Sequence, residues 1–288
     1  MLPSRIPPGP DPMIAEVQER EAKICWLPEG GKLVFLREQA TPEFWDRHWR
    51  TTDWTREVTR SRSSRYWRGI LKKYLPDTRS RILEGGCGYG HIVDAMDHWG
   101  YRAVGVDFAP ETVARIKQTR PTLDVRCGDV RALDFEDESF DGYWSLGVIE
   151  HFWDGYEAIL REMGRVLKPG GYAFVSFPCI SRMDRVKIFM AGYETCNPQE
   201  KPESFYQFAL DVRAVRGDLE RLGFKCVRTL RKNGWFGLTR VWPAFRPVCD
   251  FMTRLSEKGR CAKLLFIGTD LLVSPLCGHS VLLVLRKR

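Results

Sequence analysis

The chain has 288 residues, 43% of them hydrophobic and 28% charged, with 45 Lys and Arg against 37 Asp and Glu. That is enough for one large domain or two small ones with a sizeable core, and the balance excludes collagen, coiled coil and wholesale disorder. The net charge of +8 is uneven: from Trp45 to Arg81 eleven basic residues stand against four acids, a net +7 over 37 residues. Such a stretch suits an anionic partner or a solvated helical face.

Residues 1–12 hold five prolines and no apolar signal-peptide core. Residues 1–40 therefore read as a partly disordered leader without an export signal. No apolar run reaches the roughly 18 residues that span a bilayer. Nine cysteines occur without a C-x-x-C pair, so they read as reduced, mostly buried thiols of a cytoplasmic protein, and no metal is expected. Residues 41–79 read as a basic, aromatic helical cap, with Trp45 and Trp49 on one helical face.

From residue 80 the pattern alternates. Arg81–Glu84 is a short apolar strand that ends at glycines, and Ile92–Trp99 has helical spacing. Arg102–Val106 is a second strand, ending at Asp107, and Pro110 opens a helix. Leu123–Cys127 and Phe140–Leu146 are further strands. Tyr156–Leu167 is a helix closed by Lys168-Pro169-Gly170-Gly171, and Tyr172–Phe177 is a fifth strand. Past Pro178 the rhythm loosens, and residues 179–204 show no period. Ala209–Leu222 reads as a helix, while Phe224–Leu230 and His279–Leu285 read as two last strands. Between them lie helical stretches at Val248–Leu255 and Ala262–Leu272. The expected fold is α/β: a doubly wound, mainly parallel seven-stranded sheet in residues 80–288, with helices on both faces. It carries an N-terminal helical extension, and residues 179–208 and 231–278 are inserts that read as ligand-side segments or a lid.

The sharpest stretch is Glu84-Gly85-Gly86-Cys87-Gly88-Tyr89-Gly90, where a strand runs into a glycine turn and a helix. Such a turn lets backbone approach a ligand closely. The dinucleotide fingerprint wants its third glycine at the sixth position, which here is His91.

Residues 41 to the C-terminus, and 80–178 most strongly, resemble the class I S-adenosylmethionine (SAM)-dependent methyltransferases. The first motif is matched by Glu84, Gly86, Cys87, Gly88 and Gly90, with Gly85 a mild departure. The resemblance implies that Asp107, with Phe108 after it, accepts hydrogen bonds from the cofactor ribose; alone, Asp107 reads equally as a helix cap. It implies that Asp129 takes the adenine amino group and the Val130 backbone a ring nitrogen. Ser145 and Leu146, in a fourth strand that leads to Glu150 and His151, complete the implied cofactor contacts. Arg165–Gly171 resembles the turn into the fifth strand.

Methyl transfer rests mainly on alignment of the acceptor with the donor. For a hydroxyl acceptor, His151 is the candidate base, with a loop-fixing role as its alternative. Glu150 and Tyr206 are candidate acceptor-side residues. The implied function is SAM-dependent methylation of a small molecule, an oxygen nucleophile on an aromatic or lipid-like compound. The cofactor would be SAM, leaving as S-adenosylhomocysteine. Ser145-Leu146-Gly147-Val148 lacks the Asn/Asp-Pro-Pro-aromatic run of base N-methylation, which counts against that reaction, and with no separate RNA-binding module visible a nucleic-acid acceptor is not expected. RNA methylation and non-catalytic SAM binding are the alternatives. Leu264–Leu276 is open to three readings: a lid, core packing, or a peripheral membrane contact.

Overall fold

Strands buried on both faces require helices on both sides, and the alternation after residue 80 supplies them. The structure is a computed structural model that describes residues 22–197, 201–257 and 259–288. The proline-rich segment 1–12 lies outside the described residues. The chain opens with a hairpin of β1 (Lys23–Leu27) and β2 (Lys32–Leu36), turning at Gly30 and Gly31, both at positive φ. Residues 23–36, expected within the leader, are thus an ordered strand pair. The cap holds α1 (Pro42–Arg50), α2 (Trp54–Arg62) and α3 (Arg65–Tyr74). The side chains of Thr41, Asp53 and Ser64 cap the three helices.

The alternating region gives β3 (Arg81–Gly85), α4 (His91–His98), β4 (Arg102–Asp107), α5 (Pro110–Thr119) and β5 (Val125–Cys127). It continues with β6 (Phe140–Leu146), α6 (Glu157–Val166) and β7 (Leu167–Pro178). Next come α7 (Arg182–Phe189), β8 (Glu194–Thr195), β9 (Phe205–Ala209), α8 (Val212–Arg221) and β10 (Phe224–Lys232). Helices α9 (Gly234–Val241), α10 (Arg246–Glu257) and α11 (Arg260–Cys277) precede the final strand, β11 (Ser280–Lys287).

The main sheet has seven strands in the order β10-β11-β7-β6-β3-β4-β5, and only β11 runs antiparallel to its neighbours. The chain lays down β3, β4 and β5 outward, then returns to the other side of β3 with β6. The reversal opens a crevice at the carboxyl ends of β3 and β6, where ligands of such sheets sit. One face packs against α6 and α8 through Leu160, Met163, Val215 and Leu219. The other packs against α3, α4 and α5 through Trp67, Leu71, Val93, Met96 and Ile116. Trp144 and Phe174 stack within that second core, with ring centroids 4.8 Å apart.

A second sheet, in the order β8-β1-β2-β9, was not expected. Leu33, Phe35, Phe44, Ile180 and Tyr206 share its core, so it packs on α1. It accounts for two corrections. Ala209 ends β9, and the helix expected from Ala209 begins at Val212, capped by the Asp211 side chain. Residues 179–204 are also ordered in part: α7 starts in a capping box of Ser181 and Asp184.

The reduced-thiol expectation is corrected as well. Cys25 of β1 and Cys196, just after β8, form a disulfide with Cα atoms 5.7 Å apart. Pairing of β1 with β8 brings the two sulfurs together although 171 residues separate them. Alkylation in denaturant without reductant should therefore label seven of the nine cysteines, and prior reduction should expose all nine to the reagent. Intact mass reads the difference, and nine labels without reductant would refute the bridge.

Candidate active site

Strand β3 ends in a turn that only glycine accommodates. Gly86, Gly88 and Gly90 have φ of +74°, +52° and +77°. A Cβ on Gly86 would run into Val148, and one on Gly88 would sit 3.0 Å from the Trp49 ring of α1. The turn is folded back onto β4: the Gly88 N–H donates to Asp107 Oδ2 at 2.7 Å. The Ala109 N–H donates to Asp107 Oδ1 at 3.0 Å. Burial pushes the Asp107 pKa up, and these N–H groups oppose that rise.

Behind the turn lies Glu84, fully buried. Burial, then the neighbouring Asp107, raises its pKa well above the usual carboxylate range. Glu84 Oε2 and Ser145 Oγ have no hydrogen-bond partner among the described residues. Buried polar atoms of this kind normally have one. They lie on β3 and β6, where Glu84 pairs with Trp144, so both adjoin the crevice. Glycines at positive φ, a carboxylate at a strand end and two orphaned polar atoms fit a polar, ribose-bearing cofactor.

The other predicted positions divide. Cys87 is buried in the helical core, and burial raises its thiol pKa. Val130 is buried beside Gly85, while Phe108 and Leu146 are half-buried. Asp129 is engaged elsewhere: Arg131 clasps both of its carboxylate oxygens, with Nη2 2.6 Å from Oδ2, and holds its pKa down. An adenine amino group would have to share that carboxylate with Arg131.

The helical turn Ile149–His151 follows β6, with Glu150 buried. His151 Nδ1 lies 2.9 Å from the Tyr206 carbonyl of β9. A carbonyl oxygen only accepts, so Nδ1 carries a proton, and in the neutral ring the lone pair sits on Nε2. The predicted pair His151 and Tyr206 is thus brought together through backbone. Its rings also contact Trp45, at 5.1 Å from His151 and 6.5 Å from Tyr206. Trp45 stacks on Trp49 at 5.5 Å, and Trp49 meets Tyr89 at 4.8 Å. An aromatic wall therefore runs from the glycine turn to His151.

One residue that fixes α1 beside the candidate site escaped the sequence reading. Asp46, on α1, is buried and accepts from Thr112 N and Thr112 Oγ1, both at 2.7 Å, and from Glu111 N at 3.3 Å. It caps α5 from outside, because Ala109 at that helix start has no capping side chain. The signal was the missing cap before Pro110. Arg115 reinforces the joint by donating to the Trp49 carbonyl at 2.6 Å.

Residues 83–175 match the family described as methyltransferase domain. A Mycolicibacterium smegmatis protein named as a probable S-adenosylmethionine-dependent methyltransferase is 34% identical over 150 residues, 52% of this chain and 53% of that one. The region is a class I SAM-dependent methyltransferase domain. A ubiquinone biosynthesis O-methyltransferase of Xanthomonas oryzae pv. oryzae is 36% identical over 102 residues, 34% of this chain and 42% of its own. The chain thus spans about half the length, or less, of these curated relatives. The methyltransferase fold extends further. A chain from the Haloferax volcanii complex of a methyltransferase activator with a methyltransferase superposes with a TM-score of 0.53 at 15% identity, over 84% of this chain and 96% of that one.

Two predictions follow from the α1 contacts. Asp46→Ala strands the α5 amides and should cost about 1–3 kcal/mol in urea unfolding; a loss under about 0.5 kcal/mol, the range of ordinary surface changes, would refute the cap. His48, also on α1, has its pKa lowered from 6.5 to about 4 by burial and by Arg37. The unfolded chain therefore binds the proton first as pH falls. The stability is fully present above pH 6.5 and is lost towards pH 4, at about 1 kcal/mol per pH unit. His48→Gln should flatten that slope, and an unchanged slope would refute the assignment.

Proposed function

We propose that the chain transfers a methyl group from SAM to an oxygen nucleophile on a small aromatic or lipid-like molecule. The observation that carries the reading is the His151 tautomer, fixed by the Tyr206 carbonyl at the end of the aromatic wall. When bound, SAM supplies an electrophilic methyl on a sulfonium. The backbone of the glycine turn and Asp107 would hold its ribose end, and Glu84 and Ser145 offer polar atoms nearby. The wall of Trp45, Trp49 and Tyr206 would present ring faces to a flat acceptor and to positive charge. His151, with its lone pair on Nε2, would take the proton of an acceptor hydroxyl. Tyr206 then acts chiefly by positioning His151, and Glu150 lies buried in the same turn. The O-methyltransferase name of the Xanthomonas relative supports an oxygen acceptor.

Calorimetry with SAM, NAD and NADP tests the cofactor. SAM should bind and the dinucleotides should not, and Asp107→Ala should weaken SAM at least about tenfold through loss of charged hydrogen bonds. A folded protein that ignores SAM would overturn the reading. In an acceptor screen scored by S-adenosylhomocysteine release, His151→Gln should lower kcat by roughly 10²–10⁴ while the SAM Kd stays the same. An unchanged kcat would leave His151 the role of fixing the loop.

A further inference from the structure

Among the described residues fourteen large apolar side chains are exposed, and twelve of them fall in two segments, Val186–Met190 and Trp242–Leu276. A lone exposed Leu means little, but a contiguous patch marks an interaction site. The two segments form one surface. Lys187 Nζ donates to the Val241 carbonyl at 3.3 Å, which sets the end of α7 beside Trp242. Helix α7 also packs against α9 and α11. At its tip Phe189 is 90% exposed and Met190 72% exposed, and the chain reverses at Ala191 with φ +52°. On α11, Leu264, Leu265, Leu272 and Leu276 recur at helical spacing as an outward stripe, with Leu272 78% exposed.

The patch has a basic rim. Arg246 and Arg254 flank Phe251 on α10 and, with Asp250, line a cleft of about 620 Å³. Lys263 is exposed on α11, as is Arg182 on α7, while Arg185 of α7 is paired with Asp211. We infer that this face, the α7 tip with the outer sides of α10 and α11, docks on an anionic lipid surface. Its apolar side chains would enter the acyl boundary while the arginines meet headgroup phosphates. Arg246 and Arg254 outnumber Asp250 at the cleft, and anionic headgroups complement that basic excess. No helix among the described residues is long and apolar enough to cross a membrane, so the contact is a lateral one.

The position is apt. The insert leaves the main sheet at Lys232 and rejoins it at Ser280, beside Pro178, on the sheet edge that carries the candidate site. Docking itself does not rest on the proposed methyl transfer, although the route it offers a lipid-soluble acceptor does.

The test is co-sedimentation of the full chain with phosphatidylcholine vesicles, with and without about 30% phosphatidylserine. The chain should pellet with the anionic vesicles and much less with the neutral ones. Phe189→Ser with Leu272→Ser, and separately Arg246→Glu with Arg254→Glu, should each lower the bound fraction at least about tenfold. Both variants should keep the wild-type circular dichroism and SAM affinity. The inference fails if the wild type stays in the supernatant, or if both variants sediment as it does. It fails too if the wild type is a dimer that the Phe189→Ser, Leu272→Ser variant dissociates. Vesicle binding without methyl transfer would sink only the proposed function, and methyl transfer without vesicle binding only the docking.

Discussion

The amides at the start of α5 organise the site. A helix leaves its first N–H groups without intrahelical partners, and this one begins at Pro110 after an alanine that has no side-chain cap to offer. Two buried carboxylates from different parts of the chain meet the need. Asp107 takes the Ala109 N–H with one oxygen and the Gly88 N–H with the other, tying the glycine turn to β4. Asp46 takes Glu111 and Thr112, tying α1 to the same junction. Negative charge at a helix amino terminus is favourable, so the joint also offsets part of the desolvation of both acids.

The aromatic wall follows from that joint. With Asp46 fixed at α5, its neighbours Trp45 and Trp49 must lie over the glycine turn and reach toward His151. His151 is in turn bound to Tyr206, which belongs to the second sheet. The chain therefore assembles one site from three units: the methyltransferase domain, the helical cap and the small sheet. Only the first lies within the family match over residues 83–175. The helical cap and the small sheet lie outside the segment that matches the family, and they meet it at the candidate site.

What was legible in the sequence was local. Strand, glycine turn and helix follow one another between Arg81 and His98, and Gly90, Gly100 and Pro110 punctuate the boundaries there and just beyond. The second sheet was illegible because its strands come from residues 23–36, 194–195 and 205–209, and pairing at such separations leaves no local period. The hairpin did carry a turn signal in Pro28-Glu29-Gly30-Gly31, hidden beside the proline-rich start. The Cys25–Cys196 bridge depends on that same pairing, so it could not be read from spacing either. Asp46 stands between Trp45 and Arg47, and nothing local marks it. Its role is set by a helix more than sixty positions away.

Charge shows the same gap between sequence and structure. The run from Trp45 to Arg81 suited an anionic partner or a solvated helical face. Within it Arg47, Arg50, Arg60, Arg62 and Arg79 all form ion pairs with carboxylates of this chain. Arg62 clasps the buried Asp94 with two hydrogen bonds, and Arg120 joins from the other side. A buried carboxylate needs such partners, so these cations serve the α2–α4 contact before any ligand. Intramolecular pairing lowers the field that the stretch presents to solvent, whatever each exposed pair is worth in stability. The basic residues set among exposed aromatic and aliphatic side chains are those of α7, α10 and α11. Positive charge beside greasy surface, rather than positive charge alone, distinguishes a lipid interface from a solvated helix.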